Sequence, residues 1–302
     1  MWPTPVSEQT SERPSHLHFQ PVSGEGTGVW VGLHGWGQSR EVFAALPVPA
    51  GSTLWAADLF GHGGTALALD FDLAADALAA AVAALPGPSA PTGLSKDREV
   101  GAEPHASGSP APEDRSLCDA RAPSEEPGAS GPYVVAYSWG ARLALAAWAR
   151  HPSLWRGATL VGVHPGLKHE AERTARRAQE RERAERLQRL GAARFFEDWD
   201  RQPLFAGRTR SPPGRDRHRT PALAAAMVRL GLGEMPDLGA FLSARVDDGT
   251  AQVVVGEHDT KFRRVLTPFS PRVVPGCAHD VLSTAPERLG ALAATHASHL
   301  QS

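Results

Sequence analysis

The sequence predicts an α/β fold in which helices flank a mostly parallel sheet. The prediction comes from short apolar runs with strand character that alternate with longer runs whose apolar residues recur at helical spacing. A chain of 302 residues can bury one large core, and its hydrophobic and charged fractions, 41% and 21%, are those of an ordinary globular protein. The formal net charge of −2 indicates neither a nucleic-acid nor a membrane partner.

Short apolar runs bounded by turn residues mark the predicted strands. The clear candidates are residues 28–33, 53–57, 133–136, 159–163, 251–255 and 272–274, and a weaker one lies near residues 17–19. Helical spacing of apolar residues predicts helices over residues 70–85, 141–150 and 285–300.

Two segments interrupt the alternation of strands and helices. Residues 86–131 are rich in Pro, Gly, Ser and Ala and have no apolar period, so we expect a disordered insertion there. Residues 167–244 show no strand pattern, so we expect several helices that form a cap over the site. The predicted domains are therefore a core of residues 1–163 and 246–302 and a helical cap of residues 164–245.

Cysteine usage and motif spacing limit the compartment and the cofactors. The two cysteines, Cys118 and Cys277, are too few for a disulfide framework or a cysteine-based zinc site, and they fit a reducing cytoplasm. No secretory signal is visible, and the apolar run 77–85 is far shorter than the ~20 residues that cross a bilayer. No His-Glu-x-x-His spacing occurs. We therefore expect a cytoplasmic protein without a metal or cofactor, with Cys277 as a small buried residue.

Four short motifs, each directly after a predicted strand, carry the candidate chemistry. They are the glycine turn Leu-His-Gly-Trp-Gly at residues 33–37, the turn Ala-Tyr-Ser-Trp-Gly around Ser138, Gly-Glu-His-Asp ending at Asp259, and Gly-Cys-Ala-His ending at His279. Each has an ordinary structural interpretation when taken alone. These interpretations are a βα turn, a serine at a helix N-cap, a helix-capping carboxylate of Glu257 or Asp259, and a loop histidine.

The order of the four motifs is more informative than any one of them. Oxyanion loop, serine, acid and histidine follow one another as in the catalytic triad of the α/β-hydrolase fold. We therefore predict this fold, with Ser138, Asp259 and His279 as the triad. The histidine would take the serine proton, and the aspartate would orient the histidine. The backbone N–H groups of Trp36 and Trp139 would form the oxyanion hole.

Four further runs of residues carry a resemblance to one family. They are His-Pro-Gly-Leu at 164–167, Gln-Pro-Leu-Phe-Ala at 202–206, Pro-Asp-Leu at 236–238 and Gly-Glu-x-Asp-x-Lys-Phe at 256–262. With them the chain resembles the 2-succinyl-6-hydroxy-2,4-cyclohexadiene-1-carboxylate (SHCHC) synthases of menaquinone biosynthesis. The resemblance covers nearly the whole chain apart from its N-terminal residues and residues 86–131.

The resemblance implies a lyase that eliminates pyruvate from 2-succinyl-5-enolpyruvyl-6-hydroxy-3-cyclohexene-1-carboxylate. Ser138, activated by His279, would remove the proton beside the succinyl ketone without forming an acyl-enzyme. The oxyanion hole would hold the ketone oxygen as an enolate.

The resemblance also implies the residues that bind this small-molecule tricarboxylate. Matching the family motifs without gaps places substrate arginines at Arg142, Arg176 and Arg215, and aromatic site residues at Tyr137 and Trp199. Residues 161–220 contain 15 Lys or Arg against 9 Asp or Glu, a local excess of six positive charges that suits such a substrate. Two neighbours, Arg217 and Arg219, are alternatives to Arg215, because a two-residue slip of the match would select one of them.

Simpler interpretations of these residues remain open. The arginines of the cap could be exposed partners in helical i,i+4 pairs, namely Glu172–Arg176, Glu182–Arg186 and Glu185–Arg189. Tyr137 and Trp199 could be packed aromatic residues. A nucleic-acid patch is disfavoured, because acids interleave with the arginines and paired aromatic residues are lacking.

Two other functions compete with the synthase. A carboxyl-ester hydrolase, such as a pimeloyl-carrier-protein methyl ester esterase, would use the same triad through an acyl-enzyme, and residues 33–37 also resemble that group. Arg142 and the cap motifs favour the synthase. A non-enzymatic binding protein on this fold would predict a broken triad.

Three positions depart from the usual patterns: Ala136 and Ala141 replace glycines, and Trp139 is bulky, so we expect Ala141 and Trp139 to narrow the floor of the site.

Overall fold

A seven-stranded sheet forms the centre of the protein. The computed structural model describes residues 17–68, 70–86 and 131–301, so nearly all of the predicted insertion 86–131 lies outside the described residues. The strands lie in the order β1-β3-β2-β4-β5-β6-β7, and every neighbouring pair is parallel except β1 and β3. Their bounds are β1 Gln20–Ser23, β2 Gly26–Leu33, β3 Gly51–Ala56, β4 Tyr133–Tyr137, β5 Gly157–Val161, β6 Ala251–Gly256 and β7 Arg272–Val274.

The six clear strand predictions are confirmed, with differences at the ends. The strand predicted over residues 159–163 ends at Val161, because Gly162 has a φ of 56° and turns the chain out of the sheet. The prediction for residues 17–19 is wrong. Leu17 and Phe19 are buried in the core, but the backbone ladder with β3 starts only at Gln20. Leu17 and Phe19 therefore anchor the chain in the core just before the segment that pairs with β3.

Alternate strand residues supply two separate cores, one on each face of the sheet. Val134 and Ala136 of β4 pack on one face with Leu143 and Trp148, whereas Val135 and Tyr137 pack on the other. This alternation is the two-residue period of a strand, and burial on both faces is typical of a parallel sheet.

Helices cover both faces. The helices outside residues 164–245 are α1 Phe71–Ala83, α2 Trp139–Arg150, α7 Thr260–Leu266, α8 Val281–Thr284 and α9 Pro286–His299. The three helix predictions are confirmed within two residues, and α2 begins at Trp139, two residues before its predicted start. Helix α1 begins after Asp70, whose side chain accepts a hydrogen bond from the N–H of Leu73 at 2.8 Å.

Residues 164–245, the inserted helical segment, lie between β5 and β6 and contain no strand. Their helices are α3 Glu170–Leu190, α4 Ala192–Asp200, α5 Thr220–Arg229 and α6 Gly239–Asp247. Leu187, Phe195, Phe196, Leu223 and Met227 give this segment a small apolar core of its own. Within the described ranges, no helix is both long and apolar enough to cross a membrane.

We predict that the core under α2 is sensitive to the loss of volume. Leu143 is fully buried, so Leu143→Ala should lower the free energy of unfolding by about 2–5 kcal/mol. The matched control is Leu73→Ala on α1, where the side chain is 47% exposed and the change should stay within about 0.5 kcal/mol. Urea unfolding of both variants measures the difference, and equal effects would contradict the assignment of the core.

Candidate active site

The candidate nucleophile Ser138 sits in a sharp turn between β4 and α2. Its φ and ψ are 53° and −105°, a conformation that costs a non-glycine residue about 1–3 kcal/mol. The neighbouring chain approaches closely, because a Cβ atom at Gly140 would lie 2.4 Å from the carbonyl oxygen of Leu33. A strained strand-to-helix turn that exposes a serine is the geometry of a nucleophile elbow.

Ser138, His279 and Asp259 form one chain of hydrogen bonds. His279 Nε2 lies 2.9 Å from Ser138 Oγ, and His279 Nδ1 lies 2.6 Å from Asp259 Oδ2. The histidine and aspartate are almost fully buried. The three predicted triad residues are therefore brought together, although they follow three different strands.

Asp259 combines two roles that the sequence presented as alternatives. Its Oδ1 accepts the N–H of Phe262 at 3.1 Å and so caps α7, while its Oδ2 faces His279. Glu257 instead accepts the N–H of Gly276 at 2.8 Å and is half exposed. The cap fixes the carboxylate that orients the histidine.

The position of His279 depends on its close neighbours. A Cβ atom at Gly162 would lie 2.6 Å from His279 Cε1, so only glycine leaves room for the ring at this turn. The ring of Phe262 lies 4.4 Å away between centroids, and the backbone N–H of His279 donates to the carbonyl oxygen of Leu204 at 3.1 Å. The last contact joins the loop that carries His279 to the inserted helical segment.

The glycine turn after β2 is held on both sides of Trp36. The N–H of Gly35 donates to Gln38 Oε1 at 3.0 Å, and the N–H of Gly37 donates to His62 Nε2 at 2.9 Å. Among the described residues, the N–H of Trp36 has no hydrogen-bond partner. The N–H of Trp139 is at the first position of α2, where no intrahelical acceptor exists. These are the two N–H groups predicted for an oxyanion hole.

Three buried histidines support this turn, and the sequence analysis did not identify their role. His34, His62 and His218 each accept a backbone N–H, from Leu59, Gly37 and Gly63 respectively, at 2.9–3.0 Å. Burial lowers the pKa of His34 to about 3, lowers that of His62 well below its usual value and lowers that of His218 to about 4, so all three are neutral at pH 7. The signal available in the sequence was the placement of His34 and His62 beside glycines after β2 and β3.

A cavity opens above Ser138 and His279, and every predicted substrate residue lines it. These are Tyr137, Arg142, Arg176, Trp199 and Arg215. Arg217 instead pairs with Glu41 at 2.8 Å, and neither Arg217 nor Arg219 lines the cavity, so the alternatives to Arg215 are not supported. Tyr137 is also a packed core residue, and Trp199 stacks on Phe195. The aromatic residues thus both pack and line the site.

Three arginines that line the cavity are already paired with acids. Arg215 makes two hydrogen bonds to Asp200, and Arg208 pairs with both Asp200 and Asp280. Arg176 donates to Glu180 at 2.7 Å. Glu180 also accepts the N–H groups of residues 232 and 233, at 2.7 and 3.1 Å.

The other three cations of the cavity wall are unpaired. Arg142, Arg183 and Lys261 line the cavity, and none of them has an ion pair in the described part of the chain. Burial lowers the pKa of Arg142 to about 10, and burial together with the charge of Arg176 lowers the pKa of Arg183 and of Lys261. Arg142, with a pKa of about 10, is charged at pH 7, and an anion in the cavity would favour the charged form of all three groups. Sequence analysis missed Arg183 and Lys261, although Lys261 belongs to one of the family runs.

Two expectations about the inserted helical segment and the floor of the site are corrected. Arg176 pairs with Glu180 and not Glu172, and Arg186 pairs with Asp198. Among the described residues, none of the three i,i+4 pairs of the simpler interpretation, Glu172–Arg176, Glu182–Arg186 and Glu185–Arg189, forms an ion pair. Trp139 lines the cavity, but Ala141 is fully buried beneath it and does not narrow it. Among the described side chains, no group of three or more His, Cys, Asp or Glu could hold a metal ion.

Several curated relatives with significant similarity are SHCHC synthases. The protein from Enterobacter sp. (strain 638) is 33% identical over 155 residues, which are 49% of this chain and 59% of that protein. The protein from Klebsiella pneumoniae (strain 342) is 36% identical over 138 residues, which are 44% of this chain and 54% of that protein. The chain thus spans less than two thirds of the length of the curated relatives it matches. No family model matches the chain.

Solved structures match over almost the full length. MenH from S. aureus has a TM-score of 0.69 at 18% identity, covering 95% of this chain and 99% of that one. A thermophilic esterase from Thermogutta terrifontis has a TM-score of 0.62 at 16% identity, covering 95% and 94%. At this identity the structures show the fold alone, and the sequence relatives confirm the resemblance found in the motifs. The chain therefore has the α/β-hydrolase fold and, over the part that matches, is similar to the SHCHC synthases.

Proposed function

We propose that this protein is an SHCHC synthase, a lyase that eliminates pyruvate from 2-succinyl-5-enolpyruvyl-6-hydroxy-3-cyclohexene-1-carboxylate. The observation that carries the proposal is an assembled serine triad beside three cations of the cavity wall that have no ion pair among the described residues, Arg142, Arg183 and Lys261. A neutral ester would leave these charges uncompensated, whereas a tricarboxylate would pair with them.

In this proposal Ser138 is the base that starts the reaction. His279 takes the hydroxyl proton, Asp259 stabilises the resulting imidazolium, and the serine oxygen removes the proton beside the succinyl ketone. The electron pair of the broken C–H bond moves onto the ketone oxygen, which the N–H groups of Trp36 and Trp139 stabilise as an enolate. The electrons then return through the ring, and the C–O bond to the enolpyruvyl group breaks. The leaving group departs as the enolate of pyruvate and takes the proton held by His279, which gives pyruvate and returns the histidine to its neutral form, and the cyclohexadiene remains.

The proposed carboxylate contacts differ in part from those that the motifs implied. We assign the unpaired Arg142, Arg183 and Lys261 as the main contacts, with Arg176 held beside them by Glu180. An arginine or lysine without an acidic partner gains more from a carboxylate than one that must leave such a partner. Tyr137 and Trp199 would pack against the ring.

The proposal extends to the role of the inserted helical segment and to the location of the protein. We propose that residues 164–245 act as a cap over a core of residues 1–163 and 246–302, since α3 and α4 supply Arg176, Arg183 and Trp199 to the cavity wall. We also propose a cytoplasmic location. The free, buried Cys277 is compatible with it.

The proposal is tested by two parallel assays on the purified protein. With the enolpyruvyl substrate we expect fast pyruvate release and a matching change in diene absorbance, and with p-nitrophenyl butyrate we expect slow hydrolysis. Rapid ester cleavage without pyruvate release would make the protein an esterase and would leave the cationic wall without a role.

The proposed base is tested by Ser138→Ala. Loss of a positioned proton acceptor should lower kcat by about 10²–10⁴-fold, because general base catalysis contributes that much. Circular dichroism and thermal melting should show a folded protein. A folded variant that turns over at the wild-type rate would remove Ser138 from the mechanism.

The carboxylate contacts are tested by Arg142→Met and Arg183→Met. Each should raise KM about 10- to 100-fold with a smaller effect on kcat, because a hydrogen bond to a charged group contributes about 1.5–3 kcal/mol. Arg201→Met is the matched control, since this side chain follows α4, is 68% exposed and does not line the cavity. Unchanged KM values in both cavity variants would refute the assignment.

A further inference from the structure

A network of four charged side chains, three of them buried, connects the inserted helical segment to the loop that carries His279. Arg208 donates from Nε to Asp280 Oδ2 and from Nη1 to Asp200 Oδ1, both at 2.8 Å. Its guanidinium carbon lies 4.3 Å from the centre of the Phe205 ring. The side chains of Arg208 and Asp280 are only 5% and 1% exposed. Asp280 directly follows the catalytic His279, so this contact fixes the chain beside the triad.

The second arginine of the network reaches the oxyanion loop. Arg215 holds Asp200 with two hydrogen bonds, and its Nε donates to the carbonyl oxygen of Gly37 at 2.8 Å. Its guanidinium carbon lies 4.0 Å from the centre of the Phe196 ring. The carbonyl of Gly37 belongs to the peptide group between Gly37 and Gln38, so Arg215 holds the oxyanion loop just beyond the candidate donor Trp36.

Gln38 closes the connection between the two loops. Its Nε2 donates to Asp280 Oδ2 at 3.3 Å, and its Oε1 accepts the N–H of Gly35 at 3.0 Å. The side chain of Asp280 also accepts the N–H of Ser283 at 3.2 Å and so caps the N-terminus of α8. Asp280, which follows His279, is thus joined through Gln38 to Gly35 on one side of Trp36. Arg215 holds Gly37 on the other side. We call Asp200, Arg208, Arg215 and Asp280 the paired-charge network.

The charges within this network balance. Two arginines face two aspartates, and the arginine donors are directed at these acids and at Gly37. A substrate carboxylate could bind either arginine only by competing with an aspartate that is already in contact. This distinguishes Arg208 and Arg215 from the unpaired cations on the same cavity wall.

We propose that the paired-charge network positions the catalytic groups and does not bind substrate carboxylates. Arg208 and Arg215 hold Asp280 and the oxyanion loop, so that His279 faces Ser138 and the N–H of Trp36 is kept in place. The inference rests on the proposed triad but not on the identity of the substrate. It also changes the role of Arg215, which the motif match had placed on the substrate.

The expected effect of breaking the network is a loss of catalytic geometry. A misplacement of about 1 Å at reacting groups can cost ~10²-fold in rate, and loss of one oxyanion donor costs ~10²–10³-fold. We therefore expect Arg208→Met and Asp280→Asn each to lower kcat about 10- to 100-fold while KM stays within about threefold. Both changes interrupt the same connection, so the double variant should be little slower than the slower single variant.

A neutral fluorophosphonate that labels Ser138 separates positioning from substrate binding. Labelling needs the serine, the histidine and the oxyanion hole, but no contact to carboxylates. We expect Arg208→Met and Asp280→Asn to label about 10- to 100-fold more slowly than wild type. Arg208→Lys, which keeps the charge, should recover to within about fivefold. The exposed Arg201→Met is the control and should label like wild type.

The outcomes distinguish this inference from the proposed function. If Arg208→Met and Asp280→Asn label as rapidly as wild type per folded molecule, the network does not position the triad. This conclusion holds even if the two variants have lower melting temperatures. If Arg208→Met raises KM without slowing labelling, Arg208 binds substrate and the inference is wrong. If wild type itself does not label at Ser138, the proposed triad fails, and the inference fails with it.

Discussion

The hydrogen-bond chain from Ser138 through His279 to Asp259 is the contact on which the rest of the site depends. Its members follow β4, β7 and β6, and only a parallel sheet brings the carboxyl ends of these strands to one edge. Close approaches hold the chain together. Gly162 leaves room for the histidine ring, and Asp259 uses one oxygen to cap α7 and the other to orient the histidine.

Charge is distributed unevenly around the cavity above this chain. On one part of the wall, Arg208 and Arg215 are neutralised by Asp200 and Asp280, which makes that part rigid and close to neutral. Elsewhere Arg142, Arg183 and Lys261 remain without acidic partners in the described residues. Cations that line a cavity without acidic partners are available to a ligand carboxylate, so this distribution is a stronger argument for an anionic substrate than the total number of arginines.

The parts of the structure that the sequence predicts are those governed by local motifs. The triad and the oxyanion loop lie directly after strands, where short motifs define them. The paired-charge network was missed because Arg208 and Asp280 are 72 positions apart, and Arg208 is one of 15 basic residues in its segment. The pairing of Arg176 also depended on tertiary structure. Glu172 and Glu180 each lie four residues from Arg176 in the sequence. Arg176 pairs with Glu180, which is buried and accepts the N–H groups of residues 232 and 233.

The most direct test of this account is a crystal structure of the Ser138→Ala protein with the enolpyruvyl substrate bound. The account predicts that the succinyl ketone oxygen lies between the N–H groups of Trp36 and Trp139. It also predicts substrate carboxylates on Arg142, Arg183 and Lys261, with Arg208 and Arg215 still paired to their aspartates. Carboxylates bound to Arg208 or Arg215 in place of Asp200 and Asp280, or a ketone directed away from Trp36, would contradict it.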